Sequence, residues 1–372
     1  MTAPSLVEKL KLRLPIVQAP MAGGATTPEL VSAVSEAGAL GFIGAGYLLP
    51  ADIIAQAEAV RSKTGRPFGV NLFVLTREQS TRLTEPMPAW LTNVYHKRGL
   101  PLPKQPQALP IFDEQFEALL SVQPAVASFA FGVLNDEHVR ALQAKNIAIV
   151  GTANHAEEAK YWEDLGADAV VVQGAEAGGH RGGFTEQYIN QPMGLMSLMT
   201  QCRQTVRIPL WAAGGLMTGQ ALAAVRNMGA EAAQMGTAFL STRESGISRA
   251  YKNALFDVRR AVTTHTKLFT GKPARMLMNR YMRENMANEN NTASYPQQHA
   301  YTQALRAASA QQGDVEYMAL YAGKGVGLCR DVRVADLIDA LEKEYLSAIG
   351  ANENTSNDSH QNKSSSISYI ED

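Results

Sequence analysis

Residues 209–239 read PLWAAGGLMTGQALAAVRNMGAEAAQMGTAF, and this stretch decides the fold. A short apolar run from Pro209 to Ala213 ends in Gly214 and Gly215, an amphipathic stretch stops at Gly229, and a second short apolar run follows from Ala232 to Gly236. Strand-length apolar segments that alternate with longer periodic ones ending in glycine are βα units. The pattern recurs upstream. Candidate strands at Pro15–Ala19, Leu40–Gly44, Phe68–Phe73, Ala125–Phe129, Ile147–Gly151 and Ala169–Gln173 bring the total to eight, the number that closes a barrel. Thr26, Thr27, Pro28 and Glu29 supply an N-cap, a first-turn proline and an early acid before ELVSAVSEAG stops at Gly38, and HAEEAKYWEDLG stops at Gly166. An open doubly wound sheet would alternate in the same way but would carry a dinucleotide loop, and neither GxGxxG nor GxxxxGK[ST] occurs. The expected fold is α/β, a (β/α)8 TIM barrel with a helical C-terminal cap and a disordered C-terminal tail.

Two segments interrupt the repeat. Between Val74 and Phe112 lie six prolines, Pro86, Pro88, Pro101, Pro103, Pro106 and Pro110, over a span too long for an ordinary βα connection. This insertion follows the third strand, so it is expected on the catalytic face, either as a lid or substrate wall or as an inert addition. After the eighth strand, Thr242 to Leu346 reads as helices broken by the polar loop NENNTASYPQQ, a cap folded over the barrel. From Gly350 the chain is rich in Asn and Ser and poor in large apolar groups, a composition expected to be disordered. The division is therefore residues 1–240 as the barrel with its insertion at about 74–112, 241–349 as the helical cap region, and 350–372 as the tail.

With 372 residues the chain can bury a full core, and 34 Lys and Arg against 35 Asp and Glu offer no basic field to nucleic acid or anionic membranes. It has neither a secretory apolar segment near its start nor an apolar run of membrane-spanning length, so a cytoplasmic location is expected. Cys202 and Cys329 lack CxxC spacing and histidine neighbours, which reads as two buried thiols rather than a disulfide or a metal site.

In a barrel the strand C-termini and the loops after them build the active site. The loop Gln18 to Gly24 is made of small residues whose backbone, around Ala22 and Gly23, admits a flat ring; a tight turn without a ligand is the alternative. Gly214 and Gly215 end the seventh strand, and Gln234, Met235, Gly236 and Thr237 end the eighth. Glycine amides and a helix N-terminus there suit a phosphate, in hydrogen bonds that contribute about 1.5–3 kcal/mol each. Strand six runs into VVVQGAEAGGHRGGF, where Gln173 offers an amide to a heterocycle edge and Gly178 and Gly179 leave room beside His180. Of seven histidines only His180 lies in a glycine-rich loop at a strand end. Its near-neutral pKa lets it remove a proton or, once protonated, steady an anion. Asn71 interrupts the apolar run FGVNLF and is expected to hydrogen-bond into the site, because unpaired in a core it would cost about 1–3 kcal/mol. His138 and His155 read as structural, and Met193, Met196 and Met199 as a core stripe.

Taken together, these segments resemble the class I nitronate monooxygenases, formerly called 2-nitropropane dioxygenases. The matching stretches are PIVQAPMAGGATTPELVSAVSEAG, PFGVNLFV, VVVQGAEAGGHRGGF, QPMGLMSLM, PLWAAGGLMTG and QMGTAFLSTRESG, with GKPARMLMN and LYAGKG weaker, over about residues 12–330. QAPM and AGGH alone are shared with flavin-dependent enoyl-ACP reductases and quinone reductases. The resemblance implies that Asn71, Gln173, Gly178, Gly215 and Gln234 to Thr237 contact FMN and that His180 is the active-site histidine. It also implies that alkyl nitronates such as propionate 3-nitronate react with O2 to give a carbonyl compound and nitrite or nitrate, a detoxification. LYAGKG departs from the family pattern, which carries Trp and Gln near Tyr321 and Lys324. The rival reading is an NAD(P)H-dependent FMN reductase on the same barrel. An IMP-dehydrogenase-like barrel would need a nucleophilic cysteine after strand six, which neither cysteine supplies. A non-catalytic flavin-binding scaffold is argued against by His180 in its glycine loop. The expected partners are a small nitronate and O2, with no nucleic acid and no membrane, and the oligomeric state is open.

Overall fold

The computed structural model describes residues 5–81, 84–103 and 109–361, the side chains of 258 and 351–361 excepted. Eight parallel strands form one sheet: β1 (Ile16–Gln18), β2 (Gly41–Gly44), β3 (Phe68–Phe73), β4 (Val126–Ala130), β5 (Ala148–Ala153), β6 (Ala169–Gln173), β8 (Leu210–Ala213) and β9 (Ala232–Met235). A short strand, β7 (Gly179–His180), lies outside that sheet and pairs with a hairpin of β10 (Thr263–Thr266) and β11 (Ala274–Leu277). The order β1-β9-β8-β6-β5-β4-β3-β2 places each barrel strand beside its predecessor, and a parallel bridge between Val17 and Leu40 joins the two ends. The expected barrel is formed.

Alternation along the strands sorts the core into two layers. Val17, Phe42, Val126, Val150, Val171 and Trp211 form one apolar cluster, into which Leu6 of the first helix also packs. Their chain neighbours Ile16, Ile43, Ala127, Ile149, Val170 and Ala212 belong to a different cluster, shared with the surrounding helices. Helix ends follow the expected punctuation: Thr27 accepts from the Leu30 amide at 3.0 Å, Pro28 opens the helix, and Gly38, Gly166 and Gly229 take the left-handed backbone past their helix ends.

The methionine stripe needs a correction. The helix spans Leu195–Thr205 and buries Leu195, Leu198, Met199 and Cys202, whereas Met196 is 64% exposed. Met193 precedes the first turn, so counting from it sets the wrong phase.

Beyond β9 the chain does two jobs. The last helix, Val334–Gln361, buries Val334, Leu337, Ile338 and Leu341 in the same core as the barrel helices Pro28–Glu36 and Gly219–Asn227, and so completes the outer ring. The segment before it includes the β10–β11 hairpin as well as the helices Arg249–Phe256, Arg280–Asn285 and Gln297–Gln312. The proline-rich insertion supplies the helix Ala89–Lys97, whose Leu91, Val94 and Tyr95 share a separate apolar core with Leu268, Phe269, Tyr281 and Leu305. The Tyr95 hydroxyl donates to the Tyr301 carbonyl at 2.6 Å, and the Trp90 indole to the Asn291 carbonyl at 2.9 Å. Insertion and cap are thus packed on each other. Pro106 falls in 104–108, outside the described residues. Of the tail expected from Gly350, the backbone is helical to Gln361, while the side chains from 351 and all of 362–372 lie outside the described residues. Among the described residues no helix is long and apolar enough to cross a membrane.

Candidate active site

A cavity of about 630 Å³ opens where the barrel strands end, and it gathers nearly all the residues singled out above. Ala22, Gly23, Asn71, Gln173, Gly178, Gly179, His180, Gly214, Gly215, Gln234, Gly236 and Thr237 line it; Met235 does not and is buried in the barrel core instead. His180 sits in β7, opposite Ala274 of β11, so the cap hairpin fixes its backbone. Gly178 allows this arrangement, since a Cβ there would stand 2.5 Å from the Gly323 nitrogen.

The polar partners differ from the expectation at two residues. The Gln173 amide donates to the His180 carbonyl at 3.0 Å and accepts from Asn154 and the Gly182 amide at 2.9 and 2.8 Å. Gln173 therefore braces the histidine loop, and Asn154, which sequence reasoning missed, braces Gln173. Asn71 donates to the Ser128 carbonyl and hydroxyl at 3.1 and 2.9 Å, so its amide hydrogens serve the neighbouring strand. Gln234, by contrast, lines the cavity and makes no side-chain hydrogen bond among the described residues. It is the free amide that Gln173 was expected to be.

The tautomer of His180 follows from its neighbours. Thr270 donates its hydroxyl proton to the Lys272 carbonyl at 3.0 Å, so at its 2.9 Å contact with His180 Nε2 it accepts. Nε2 therefore carries the proton, and Nδ1 keeps a lone pair. Burial, then the charges of Lys272 and Arg306, push the imidazole down to about 3. An uncharged ring at neutral pH weighs against the alternative of a protonated His180 steadying an anion.

Positive charge comes from elsewhere. Arg306, on the helix Gln297–Gln312, lines the cavity, donates to Thr302 Oγ1 at 3.2 Å and to the His299 carbonyl at 2.9 Å, and has no carboxylate partner among the described residues. Its third contact, 3.3 Å to His299 Nε2, makes that atom an acceptor, so His299 Nδ1 holds a proton and is buried without a partner. Lys272 lies with its ammonium 4.8 Å above the Phe131 ring, and burial lowers its pKa to about 8. Among the described residues no Asp or Glu lines the cavity.

The cavity wall presents a row of unengaged hydrogen-bond donors. The backbone amides of Gly214, Gly215, Gly236 and Thr237 have no protein acceptor among the described residues, and Thr237 Oγ1 accepts from the Gly323 amide at 2.9 Å, which leaves its hydroxyl proton to donate. Gly215 has φ +71° and an added Cβ would lie 3.2 Å from Glu176 Cβ. Gly215→Val is expected to lower flavin retention about tenfold or more, the loss of one charge-assisted hydrogen bond. Gly236→Ala, whose Cβ would meet Ala19 at an ordinary 3.6 Å, should retain the fold and serve as the comparison. Flavin absorbance after gel filtration, beside the circular dichroism of each variant, reads the difference.

Both cysteines are free thiols: burial raises Cys202 to about 12 and Cys329 to about 11, which leaves neither as a thiolate nucleophile. His155 caps the helix Ala156–Asp164 and stacks on Tyr188 at 3.8 Å, and His138 packs on Phe112 and Phe116, structural roles as expected. Tyr321 stands 5.5 Å from the His180 ring, in the segment that departs from the family pattern.

Comparison with known proteins agrees with this geometry. The sequence profile of the family described as nitronate monooxygenase matches residues 4–344. A probable nitronate monooxygenase of Staphylococcus aureus (strain N315) is 39% identical over 325 residues, 86% of this chain and 90% of that protein. Among solved structures, nitroalkane oxidase from Streptomyces ansochromogenes is 40% identical with a TM-score of 0.85, covering 93% of this chain and 99% of its own. FabK from Thermotoga maritima is 26% identical with a TM-score of 0.73, covering 95% and 100%. With the barrel, the glycine-lined cavity and His180 all in place, the profile and these relatives establish that the chain belongs to the nitronate monooxygenase family, an oxidoreductase family.

Proposed function

We propose that this enzyme uses FMN and O2 to oxidise alkyl nitronates, propionate 3-nitronate among them, to a carbonyl compound and nitrite or nitrate, a detoxification. The observation that supports this reading is the charge of the cavity wall, where, among the described residues, Arg306 is the one permanent charge and no acid opposes it. Such a wall favours an anion, and a carboxylate remote from the nitronate would add a second point of attraction. The weak basicity of His180 points the same way, since a group that resists protonation is a poor base for a neutral nitroalkane.

Bound FMN supplies the acceptor for electrons from the nitronate and their route to O2. The amides of Gly214, Gly215, Gly236 and Thr237 would hold its phosphate, the small residues Ala22 and Gly23 would admit its ring, and the Gln234 amide would be free to hydrogen-bond to it. His180 presents Nδ1 as a hydrogen-bond acceptor, with Thr270 keeping the ring in that tautomer. Phe131, Tyr295 and Tyr321, at 5.6, 5.9 and 5.5 Å from the His180 ring, form an aromatic wall beside it.

Under argon, propionate 3-nitronate is expected to bleach the bound flavin rapidly, while NADH and NADPH do so at least about a hundredfold more slowly, because hydride transfer also requires an aligned nicotinamide. Stopped-flow absorbance with each donor alone is the measurement. Fast bleaching by NADH with inertness toward nitronates would make the protein a reductase.

A further inference from the structure

A second cavity of about 440 Å³ adjoins the active-site cavity, and Phe131 is the residue that stands in the wall of both. Leu75, Ile111, Phe112 and Val133 are among its apolar lining residues, Asn135 and His138 among its polar ones. Phe131 follows β4 and holds a left-handed backbone, φ +75°, uncommon for a bulky residue. Its amide donates to the Gly182 carbonyl at 2.9 Å, which ties it to the loop that carries His180. Its ring packs on Phe73 at 4.3 Å, stands edge-on to His180 and Tyr295 at 5.6 and 5.5 Å, and lies under the Lys272 ammonium. The ring is therefore held on several sides, at the point where a substrate beside His180 would extend toward the second cavity.

We propose that Phe131 sets the length of substrate the enzyme accepts, by closing the active-site cavity against an adjoining cavity that would otherwise receive the distal end of a longer alkyl nitronate. This rests on the nitronate reading of the site. A chain that reaches the apolar part of the second cavity gains about fourfold in binding for each methylene buried. Ala and Leu meet the same backbone conformation as Phe, so substitution there varies the volume of the wall more than the strain of the chain.

The test is kcat/KM for linear primary nitronates from ethyl to octyl, with wild type, Phe131→Ala and Phe131→Leu. The ratio of octyl to ethyl nitronate is expected to rise tenfold or more in Phe131→Ala and by less in Phe131→Leu. Adding Val133→Phe, which narrows the second cavity, should lower the ratio toward the wild-type value. A ratio unchanged in Phe131→Ala overturns the proposal, and so does a gain that Val133→Phe leaves undiminished. Calorimetric binding of straight-chain carboxylates of the same lengths gives a readout that needs no turnover, with the same pattern expected and the same two outcomes against it. Failure of wild type to oxidise any nitronate would count against the proposed activity, while the binding series would still decide the role of Phe131.

Discussion

Replacing Arg306 by Met is expected to lower kcat/KM for propionate 3-nitronate about 10- to 100-fold, chiefly through KM, and to do so less for ethyl nitronate. The range follows from about 1.5–3 kcal/mol for a charge-assisted hydrogen bond. Methionine retains much of the length and the apolar contact of the arginine stem, so the change is mainly one of charge. With no carboxylate beside it, the guanidinium is not committed to an ion pair that a substrate would have to break. The neighbouring His299 adds an unpartnered N–H at the same end of the cavity. Steady-state kinetics with both nitronates checks the expectation. An unchanged KM for both would remove Arg306 from substrate binding, and an equal loss on both would place the nitronate group, rather than a remote carboxylate, against it.

The barrel was legible in the sequence because its strands are buried on both faces and bounded by glycine and proline. The run from Phe68 to Phe73 is found as a strand with the boundaries read from it, and Ala169–Gln173 likewise. The cavity floor was legible for a related reason: glycines with positive φ, such as Gly214 and Gly215, end strands where the chain must turn without a side chain in the way. The cap side of the cavity was not. Arg306 on an amphipathic helix carries the same local signal as any solvated arginine, and only the fold turns it inward. His299, Tyr295 and Thr270 are equally silent in one dimension. Their importance depends on the β10–β11 hairpin and the helix Gln297–Gln312 folding back over β7, with Leu91 and Tyr95 of the proline-rich insertion packed behind them. Those contacts join residues about two hundred positions apart, as Tyr95 and Tyr301 do with a separation of 206, and no periodicity reports them.

The protonation of His180 shows how burial changes a reading made from residue type. An exposed histidine would titrate near 6.5, but in this cavity the imidazole is held at about 3, first by desolvation and then by the fields of Lys272 and Arg306. The pKa is lower folded than unfolded. Above pH 6.5 neither state is protonated and the group contributes nothing to stability; as pH falls toward 3 the unfolded chain binds a proton that the folded one refuses, so stability is lost in that window. His265, lowered to about 4 by burial and by Arg275, acts with the same sign. The rate with preformed nitronate is thus expected to show no titration near pH 6.5, any decline below about pH 5 tracking unfolding seen by circular dichroism. His180→Asn keeps a hydrogen-bonding side chain of similar bulk but has no titrating nitrogen. It is expected to lower any turnover of neutral nitroalkane by less than the roughly 10²- to 10⁴-fold that a base matched to the working pH yields, since the ring is a weak base, and turnover of preformed nitronate less still, because no proton has to be removed. Thr270→Val, which takes away the acceptor that fixes Nε2–H, should move both rates in the same direction by smaller amounts. An inflection at pH 6.5 in the wild-type nitronate profile, lost in His180→Asn, would show that the ring is protonated in the working enzyme and that the bound flavin and substrate reverse the effect of burial.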